Sequence, residues 1–291
     1  MKNVENKTRI VYYQMGQAKS LSFLYTTKFG RTCLKFLVKP SVSKISGRFL
    51  STRISSLMIK NFVKKNHIDM SEYEQRKFRS YNDFFTRKIA LGKRSVDMDE
   101  KAFISPCDAK LTVYSIDDAS TFYIKDSYYT IKDLLGGNEL YKEYKNGLCL
   151  IFRLAVDDYH RYCYIDNGTK SANTFIDGEL HTVQPIALNN YNIYKRNCRE
   201  YTILHTENFG DIVQIEVGAL LVGKIVNFHK EYSFKKGAEK GMFEFGGSTI
   251  VLLVKDNIVN IDKELLRNTE MGLETIVKYG ERIGKKHERT N

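Results

Sequence analysis

Hydrophobic and polar residues alternate in two different ways along the chain. From Leu21 to Phe62, short apolar clusters are separated by Lys or Arg every three to five residues, a spacing typical of amphipathic helices with basic flanks. After residues 82–88, short apolar runs are bounded by Gly, Asn and Asp, which predicts β-strands joined by turns. The pattern therefore predicts an α+β fold, with basic amphipathic N-terminal helices followed by a mostly antiparallel β-rich domain.

The clearest strand patterns are residues 111–116, 148–155, 211–217, 220–228 and 249–254. A short helix is predicted at residues 130–135. Residues 263–279 place leucine, isoleucine and valine side chains on one helical face, so this segment is predicted to close the chain as a helix.

Charge divides the chain at about residue 95. Residues 1–95 contain 21 Lys and Arg against 5 Asp and Glu, a balance of +16, whereas residues 96–291 contain 25 against 29, a balance of −4. Basic helices pack on a domain with a solvated face, lie on an anionic membrane surface, or bind nucleic acid. No zinc-finger, helix-turn-helix or RNP pattern accompanies the charge, so nucleic acid is not an expected partner.

The cysteines favour a reducing compartment. There are five of them, with no CxxC pair and no secretion signal, so we expect free thiols and no structural zinc. No apolar stretch reaches the ~20 residues that span a bilayer. We therefore expect no integral membrane segment.

The most informative segment precedes the predicted strand at 249–254. A Gly-Gly-Ser triplet, here Gly246, Gly247 and Ser248, is by itself most often a tight turn. In this chain it follows KGAEKGMFEF at residues 236–245. The combination resembles the signature of phosphatidylserine decarboxylases, in which a Gly-Ser bond after a KGxExGxFxxG stretch breaks itself.

Three more stretches resemble motifs of the same family, in the same order. Residues 82–88 read NDFFTRK, similar to (F/Y)NxFFxRxL; residues 105–110 read SPCDAK, similar to SPxDGK; residues 158–161 read DYHR, as in the family. Together the four motifs cover about residues 75–255. With the boundary that charge gives, we predict a basic helical membrane-associating region at 1–95 and a β-rich catalytic domain at 96–291.

The resemblance also implies a covalent cofactor made from the chain itself. Ser248 would attack the carbonyl of Gly247, where glycine tolerates a bent peptide, and the products would be chains 1–247 and 248–291, held together as a heterodimer. Ser248 would become a pyruvoyl group that forms a Schiff base with the amine of phosphatidylserine and acts as electron sink in place of pyridoxal phosphate. No metal is expected, and the product would be phosphatidylethanolamine.

A serine nucleophile needs a base, and the base needs an orienting carboxylate. The resemblance assigns these roles to His160 and Asp108, and it makes His160 the group that protonates the carbanion left by decarboxylation. Many family members read YHRxH, with a second His acting in self-cleavage, but this chain has Cys163 at that position. Three histidines are therefore candidates for the base of self-cleavage: His160, which would then serve both self-cleavage and decarboxylation, or His181 or His205, if either folds into the site. Cys163 itself is more typical of a small buried side chain.

A lipid substrate strengthens the interpretation of the N-terminal helices as membrane-binding. We therefore expect a peripheral protein on the cytoplasmic side of the cell membrane, with phosphatidylserine in an anionic membrane as its partner. Two alternatives stay open: a decarboxylase of a different serine-bearing lipid, and a non-catalytic membrane-binding homologue that lost self-cleavage through Cys163.

Overall fold

A computed structural model describes residues 9–12, 19–124, 127–182, 196–219, 224–244 and 248–288. Its helices are α1 (Lys19–Thr26), α2 (Lys28–Leu37), α3 (Pro40–Leu50), α4 (Ile59–Lys65), α5 (Tyr81–Phe85), α6 (Ile131–Leu134) and α7 (Lys263–Glu270). Short 3₁₀ helices lie at Arg53–Met58, Met70–Glu72 and Glu139–Tyr144. None of the described helices is both long and apolar enough to cross a membrane.

The strands are β1 (Val11–Tyr12), β2 (Ala102–Ile104), β3 (Ala109–Ser115), β4 (Thr121–Ile124), β5 (Ser127–Thr130), β6 (Leu148–Leu154), β7 (Arg161–Cys163), β8 (Gly168–Lys170), β9 (Thr174–Ile176), β10 (Arg199–Thr206), β11 (Gly210–Val217), β12 (Lys224–Asn227), β13 (Tyr232–Phe234), β14 (Glu239–Glu244), β15 (Ser248–Val254), β16 (Val259–Ile261), β17 (Glu274–Val277) and β18 (Arg282–Lys286). In the described part of the chain, the main sheet has the order β1-β17-β3-β6-β15-β11-β10-β8-β13, with β9 also paired to β10. Two three-stranded sheets, β12-β14-β7 and β16-β18-β2, and the β4–β5 pair complete the fold. The named strands pair antiparallel, which confirms the predicted α+β fold.

The centre of the main sheet is an uninterrupted apolar run. All seven residues of β15 are buried, and they pair with β6 from Ser248 opposite Leu154 to Val254 opposite Leu148. On its other side, β15 pairs with β11. A strand covered on both faces favours apolar side chains at consecutive positions rather than at every second one, which explains the run IVLLV that follows Ser248 and Thr249.

The N-terminal helices share this core. Tyr25 of α1 and Leu34 of α2 are buried in the same apolar cluster as β6 and β15. The turn between the two helices is tight because Thr27 caps α2 through the amide of Gly30. A Cβ atom at Gly30 would lie 2.1 Å from the carbonyl oxygen of Phe23, so only glycine permits this approach of the two helices.

Four predicted strands, 111–116, 148–155, 211–217 and 249–254, are confirmed within two residues, and the helix predicted at 130–135 is α6. The helix predicted at 263–279 is wrong in its second half. It ends at Glu270, Gly272 takes the left-handed conformation with φ +72°, and β17 follows and pairs with β3. The β-branched residues of β17 fit this sheet position better than a helix. Of the strand predicted at 220–228, residues 220–223 lie outside the described residues.

We predict that Gly30→Ala lowers the stability of the protein, by roughly 1–3 kcal/mol, because the added methyl group overpacks the α1–α2 contact. Gly47→Ala is the matched control: a Cβ at this glycine of α3 meets nothing within 4 Å, and alanine should stabilise a helix interior by about 0.5–1 kcal/mol. Thermal unfolding followed by circular dichroism measures both changes. Equal melting temperatures for the two variants would contradict the close approach at Gly30.

Candidate active site

The C-terminal end of β6 gathers the three predicted catalytic residues. Ser248 begins β15 directly opposite Leu154, the last residue of β6. Asp108 immediately precedes β3, which pairs with β6 on the other side, and His160 follows β6 by six residues. The two strands that flank β6, and the turn that follows it, thus bring all three residues to the same end of the sheet.

Ser248 is fully buried, and its Oγ has no hydrogen-bond partner among the described residues. A buried hydroxyl without a partner costs about 1–3 kcal/mol, and such exceptions need an explanation. Since none of the described residues holds this hydroxyl, it is available for reaction. Gly246 and Gly247, which complete the predicted cleavage site, lie outside the described residues.

His160 is buried at the entry to β7, where its carbonyl oxygen accepts from the amide of Phe243 in β14 at 2.9 Å. Only residues 245–247 separate β14 from β15, so the strand bonded to His160 leads directly into Ser248. The imidazole packs on Phe85, with ring centroids 4.0 Å apart. Phe85 belongs to α5, so the motif at 82–88 contributes a wall of the site.

The tautomer of His160 follows from its hydrogen bond. Its Nδ1 lies 2.9 Å from the backbone oxygen of Asp158. Because a carbonyl oxygen can only accept, Nδ1 carries the proton and the lone pair of the neutral ring is at Nε2. Nε2 is therefore the atom that can take up or deliver a proton.

Asp108 is also buried, but its hydrogen bonds go elsewhere. Its carboxylate accepts from Arg94 at 2.9 Å, from Lys278 at 3.2 Å and from the amide of Tyr279 at 2.8 Å. Burial disfavours its ionised form, yet the hydrogen bond from Arg94 and the charge of Lys278 outweigh burial, so the pKa of Asp108 lies below its usual value. Among the described residues, no hydrogen bond joins Asp108 to His160.

Cys163 lies in β7, fully buried, with its Sγ 4.0 Å from the carbonyl oxygen of Ser105. Burial raises the pKa of this thiol to about 12. At neutral pH the side chain is therefore a protonated thiol, which is no base. All five cysteines of the chain are free thiols, as predicted.

The two alternative bases lie at different distances from Ser248. His205 is opposite Asp211, at the far end of β11 from Val217, the partner of Thr249. Six residues of strand span about 20 Å, so His205 is remote from Ser248.

His181 is nearer to the site, because Asn197 donates to the carbonyl oxygens of both His181 and Gly218, the residue after β11. Its ring is occupied, however: Nδ1 contacts the hydroxyl of Tyr25 at 3.2 Å and Nε2 contacts the carboxylate of Glu179 at 3.0 Å. Burial lowers the pKa of His181.

Two charged residues of the site were assigned no role from the sequence. The ammonium group of Lys110, in β3, lies 2.6 Å from the carboxylate of Asp158, and both side chains are buried. Both belong to family motifs, at 105–110 and 158–161, which is the signal that could have singled them out. Burial raises the pKa of Asp158, against the influence of Lys110.

No group of His, Cys, Asp and Glu side chains in the described ranges is arranged to hold a metal ion. The hydroxyl of Ser248, which has no partner in the part of the chain that the structure describes, lies at the start of a buried strand and does fit a residue that is converted into a prosthetic group. The chemistry available at this site is that of a serine nucleophile, an imidazole and two buried carboxylates with cationic partners.

Comparison with known proteins gives consistent matches over the site and beyond it. The family model described as phosphatidylserine decarboxylase matches residues 81–285. The chain is 51% identical, over 94% of its length and 92% of the relative, to phosphatidylserine decarboxylase proenzyme 2 of Clostridium acetobutylicum. It is 41% identical to the phosphatidylserine decarboxylase proenzyme of Clostridium kluyveri, over 94% of this chain and 95% of the relative. The same proenzyme of Ruminiclostridium cellulolyticum is 42% identical, over 93% and 92%.

Proposed function

Because the chain belongs to the phosphatidylserine decarboxylase family and is a decarboxylase, we propose that it converts phosphatidylserine to phosphatidylethanolamine with a pyruvoyl group made from Ser248. The observation that carries this proposal is the buried Oγ of Ser248, which has no hydrogen-bond partner among the described residues. The word proenzyme in the names of the relatives fits a chain that is processed before it acts.

We propose the following steps for processing. The Oγ of Ser248 attacks the carbonyl carbon of Gly247, the peptide C–N bond breaks, and an ester joins the two parts of the chain. Loss of the Cα proton of Ser248 then expels the Gly247 carboxylate and leaves dehydroalanine. Water adds to this residue and ammonia leaves, which gives chain 1–247 and a pyruvoyl group at the start of chain 248–291.

Once formed, the pyruvoyl group would supply the carbonyl chemistry that accepts the electrons released with CO₂. His160 then delivers a proton from Nε2 to the substrate carbon, since its Nδ1 is committed to Asp158. Asp108 remains ionised beside Arg94 and Lys278 and supplies the negative charge of the site. The buried apolar walls of the site, including Phe85, keep bulk water away from the reacting carbon.

The topology supports a lasting heterodimer of the two chains. Chain 248–291 contributes β15 to the centre of the main sheet, β17 between β1 and β3, and β18 between β16 and β2. Separation of the chains would break hydrogen bonds in two sheets and expose the seven buried residues of β15. We therefore propose that the chains 1–247 and 248–291 stay together after cleavage.

The N-terminal helices combine basic residues with exposed apolar side chains. Between Lys19 and Lys65 the sequence has eleven Lys and Arg and no Asp or Glu. Exposed apolar side chains are interspersed with these charges, among them Phe29 (70% exposed), Ile54 (71%) and Leu57 (80%). Cationic helices with exposed apolar residues bind anionic lipid surfaces. We propose peripheral binding to the cytoplasmic side of the cell membrane, where free thiols persist.

Ser248→Ala should leave the chain intact and inactive, because it removes both the attacking oxygen and the atoms of the pyruvoyl group. A denaturing gel should show a single band at 33.8 kDa, whereas the parent protein should give two. Thr249→Val is the matched control, since it removes the neighbouring buried hydroxyl, which points to the opposite face of the strand, and it should still be cleaved. A cleaved and active Ser248→Ala protein would refute the mechanism.

The same assay separates the alternatives. A parent protein that stays uncleaved and inactive supports the non-catalytic homologue. A cleaved protein that releases CO₂ from another serine-bearing lipid faster than from phosphatidylserine supports the other decarboxylase.

Cys163→Ser should be cleaved at the normal rate, because a thiol with a pKa of about 12 does not act as a base at neutral pH.

His160→Ala should accumulate uncleaved precursor, since loss of a general base costs about 10²–10⁴ in rate. Asp108→Asn should slow cleavage, because an amide cannot balance the charge of Lys278. A time course of band appearance measures all three. A block in Cys163→Ser with normal cleavage in His160→Ala would move the role to the thiol; normal cleavage in both would point to His181 or His205.

Binding to vesicles tests the membrane proposal. The double variant Ile54→Ser, Leu57→Ser should bind anionic vesicles at least about tenfold more weakly, since each buried side chain contributes about 1.5–3 kcal/mol. Met271→Ser is the control, an exposed apolar residue outside the helices. Salt should weaken binding as the Debye length falls from ~10 Å at 0.1 M to ~3 Å at 1 M. Equal co-sedimentation with neutral and anionic vesicles at low salt would remove the electrostatic part of the proposal.

A further inference from the structure

Two hydrogen bonds close the turn between β6 and His160. The amide of Ala155 donates to the carboxylate of Asp158 at 2.7 Å, and the amide of Asp158 donates back to the carbonyl oxygen of Ala155 at 3.0 Å. This turn begins one residue after Leu154, the strand partner of Ser248. The position of the turn is therefore tied to the position of the serine.

Lys110 closes the same turn from the neighbouring strand. In the β3–β6 register Lys110 is opposite Arg153, and its ammonium group reaches past the end of β6 to Asp158 at 2.6 Å. The side chain of Lys110 is 4% exposed and that of Asp158 8%, so the interaction is poorly screened by water. Burying such a pair brings little net stability, which favours a use other than stability.

We infer that Lys110 and Asp158 are positioning residues that fix the ring orientation, the tautomer and the charge state of His160. This inference rests on the proposed role of His160 and adds two residues to it. Lys110 holds the carboxylate of Asp158, the carboxylate closes the turn, and the turn directs the carbonyl oxygen of Asp158 at Nδ1 of His160. Neither residue touches the reacting atoms.

The two charges act on His160 in opposite directions. Asp158→Asn keeps the backbone oxygen that binds Nδ1 but leaves the ammonium of Lys110 unbalanced, so the imidazolium is disfavoured and the pKa of His160 should fall by about one unit. Lys110→Met leaves a carboxylate, so the pKa of His160 should rise. This rise should be the smaller shift, because burial favours protonation of Asp158 itself.

Other charged groups near the pair remain unchanged in these variants. Asp157 lies 4.0 Å from the ammonium of Lys110, and Lys278, directly after β17, interacts electrostatically with Asp158. Arg87 donates to the carbonyl oxygen of Asp157, and Arg161 is paired with Glu239. Any difference in titration between the two variants therefore reports on the pair alone. The double variant Lys110→Met, Asp158→Asn restores neutrality and should return the pKa of His160 toward the parent value.

The experiment titrates the histidine side chains by ¹⁵N NMR in Ser248→Ala protein, with His160→Gln to assign the signal, so that neither cleavage nor catalysis is required. Opposite shifts in the two single variants, and their cancellation in the double variant, are the expected result. Lys170→Met is the control: this buried lysine donates to Asn173 and to the carbonyl oxygen of His229, near the far end of the main sheet. It should leave the titration of His160 unchanged. Shifts of equal sign, or none, in folded single variants would overturn the inference.

Two further measurements keep the outcomes separate. If a single variant does not fold, the neutral ring of His160 in the Ser248→Ala parent must still carry its proton on Nδ1, and a proton on Nε2 would overturn the inference.

In otherwise unmodified, cleaved enzyme, a proton donor must be protonated, so activity is lost as pH rises through its pKa. The basic limb of kcat should then move to lower pH in Asp158→Asn and to higher pH in Lys110→Met. NMR shifts without a matching movement of this limb would retain the positioning role and reject His160 as the proton donor.

Discussion

The insertion of β15 between β6 and β11 is the constraint on which the site depends. Seven consecutive buried residues fix its register, and a slip of one residue would turn every side chain to the other face of the sheet. Ser248 is therefore held in place by apolar neighbours that have no chemical role. This explains how its hydroxyl stays buried without a hydrogen-bond partner among the described residues: the energy that fixes the serine comes from the rest of the strand.

Several buried charges lie where β6 ends. Lys110 and Asp158 form one pair, and Asp108 lies between Arg94 and Lys278. Each carboxylate has a cationic partner, which is the condition under which charge is tolerated in an interior. The imidazole of His160, whose Nδ1 is bonded to the backbone oxygen of Asp158 and whose lone pair is therefore at Nε2, lies at the same end of β6.

Sequence patterns predicted the parts of the fold in which local signals agree with the final environment. The apolar runs at residues 148–155 and 249–254 correctly predicted strands. Residues 263–279 showed helical periodicity, although pairing with β3 decides the structure after Gly272. The motifs identified Ser248, His160 and Asp108 as candidates, and the structure places them around the end of β6. The contacts between these side chains could not be predicted from local patterns, because the partners are far apart in sequence. Lys110 and Asp158 are 48 residues apart, and Asp108 and Lys278 are 170 apart. The division at residue 95 and the roles of the three residues stay predictions.

Residues 248–291 contribute strands to the main sheet and to the sheet β16-β18-β2. This arrangement has a consequence for the order of synthesis. Residues 248–291 are synthesised after the strands that they join, yet they supply the central strand β15 and the strands β17 and β18. A nascent chain that ends before them has β6 and β11 with the gap between them unfilled. The buried surroundings of Ser248 can therefore form only after β15, β17 and β18 have themselves been synthesised.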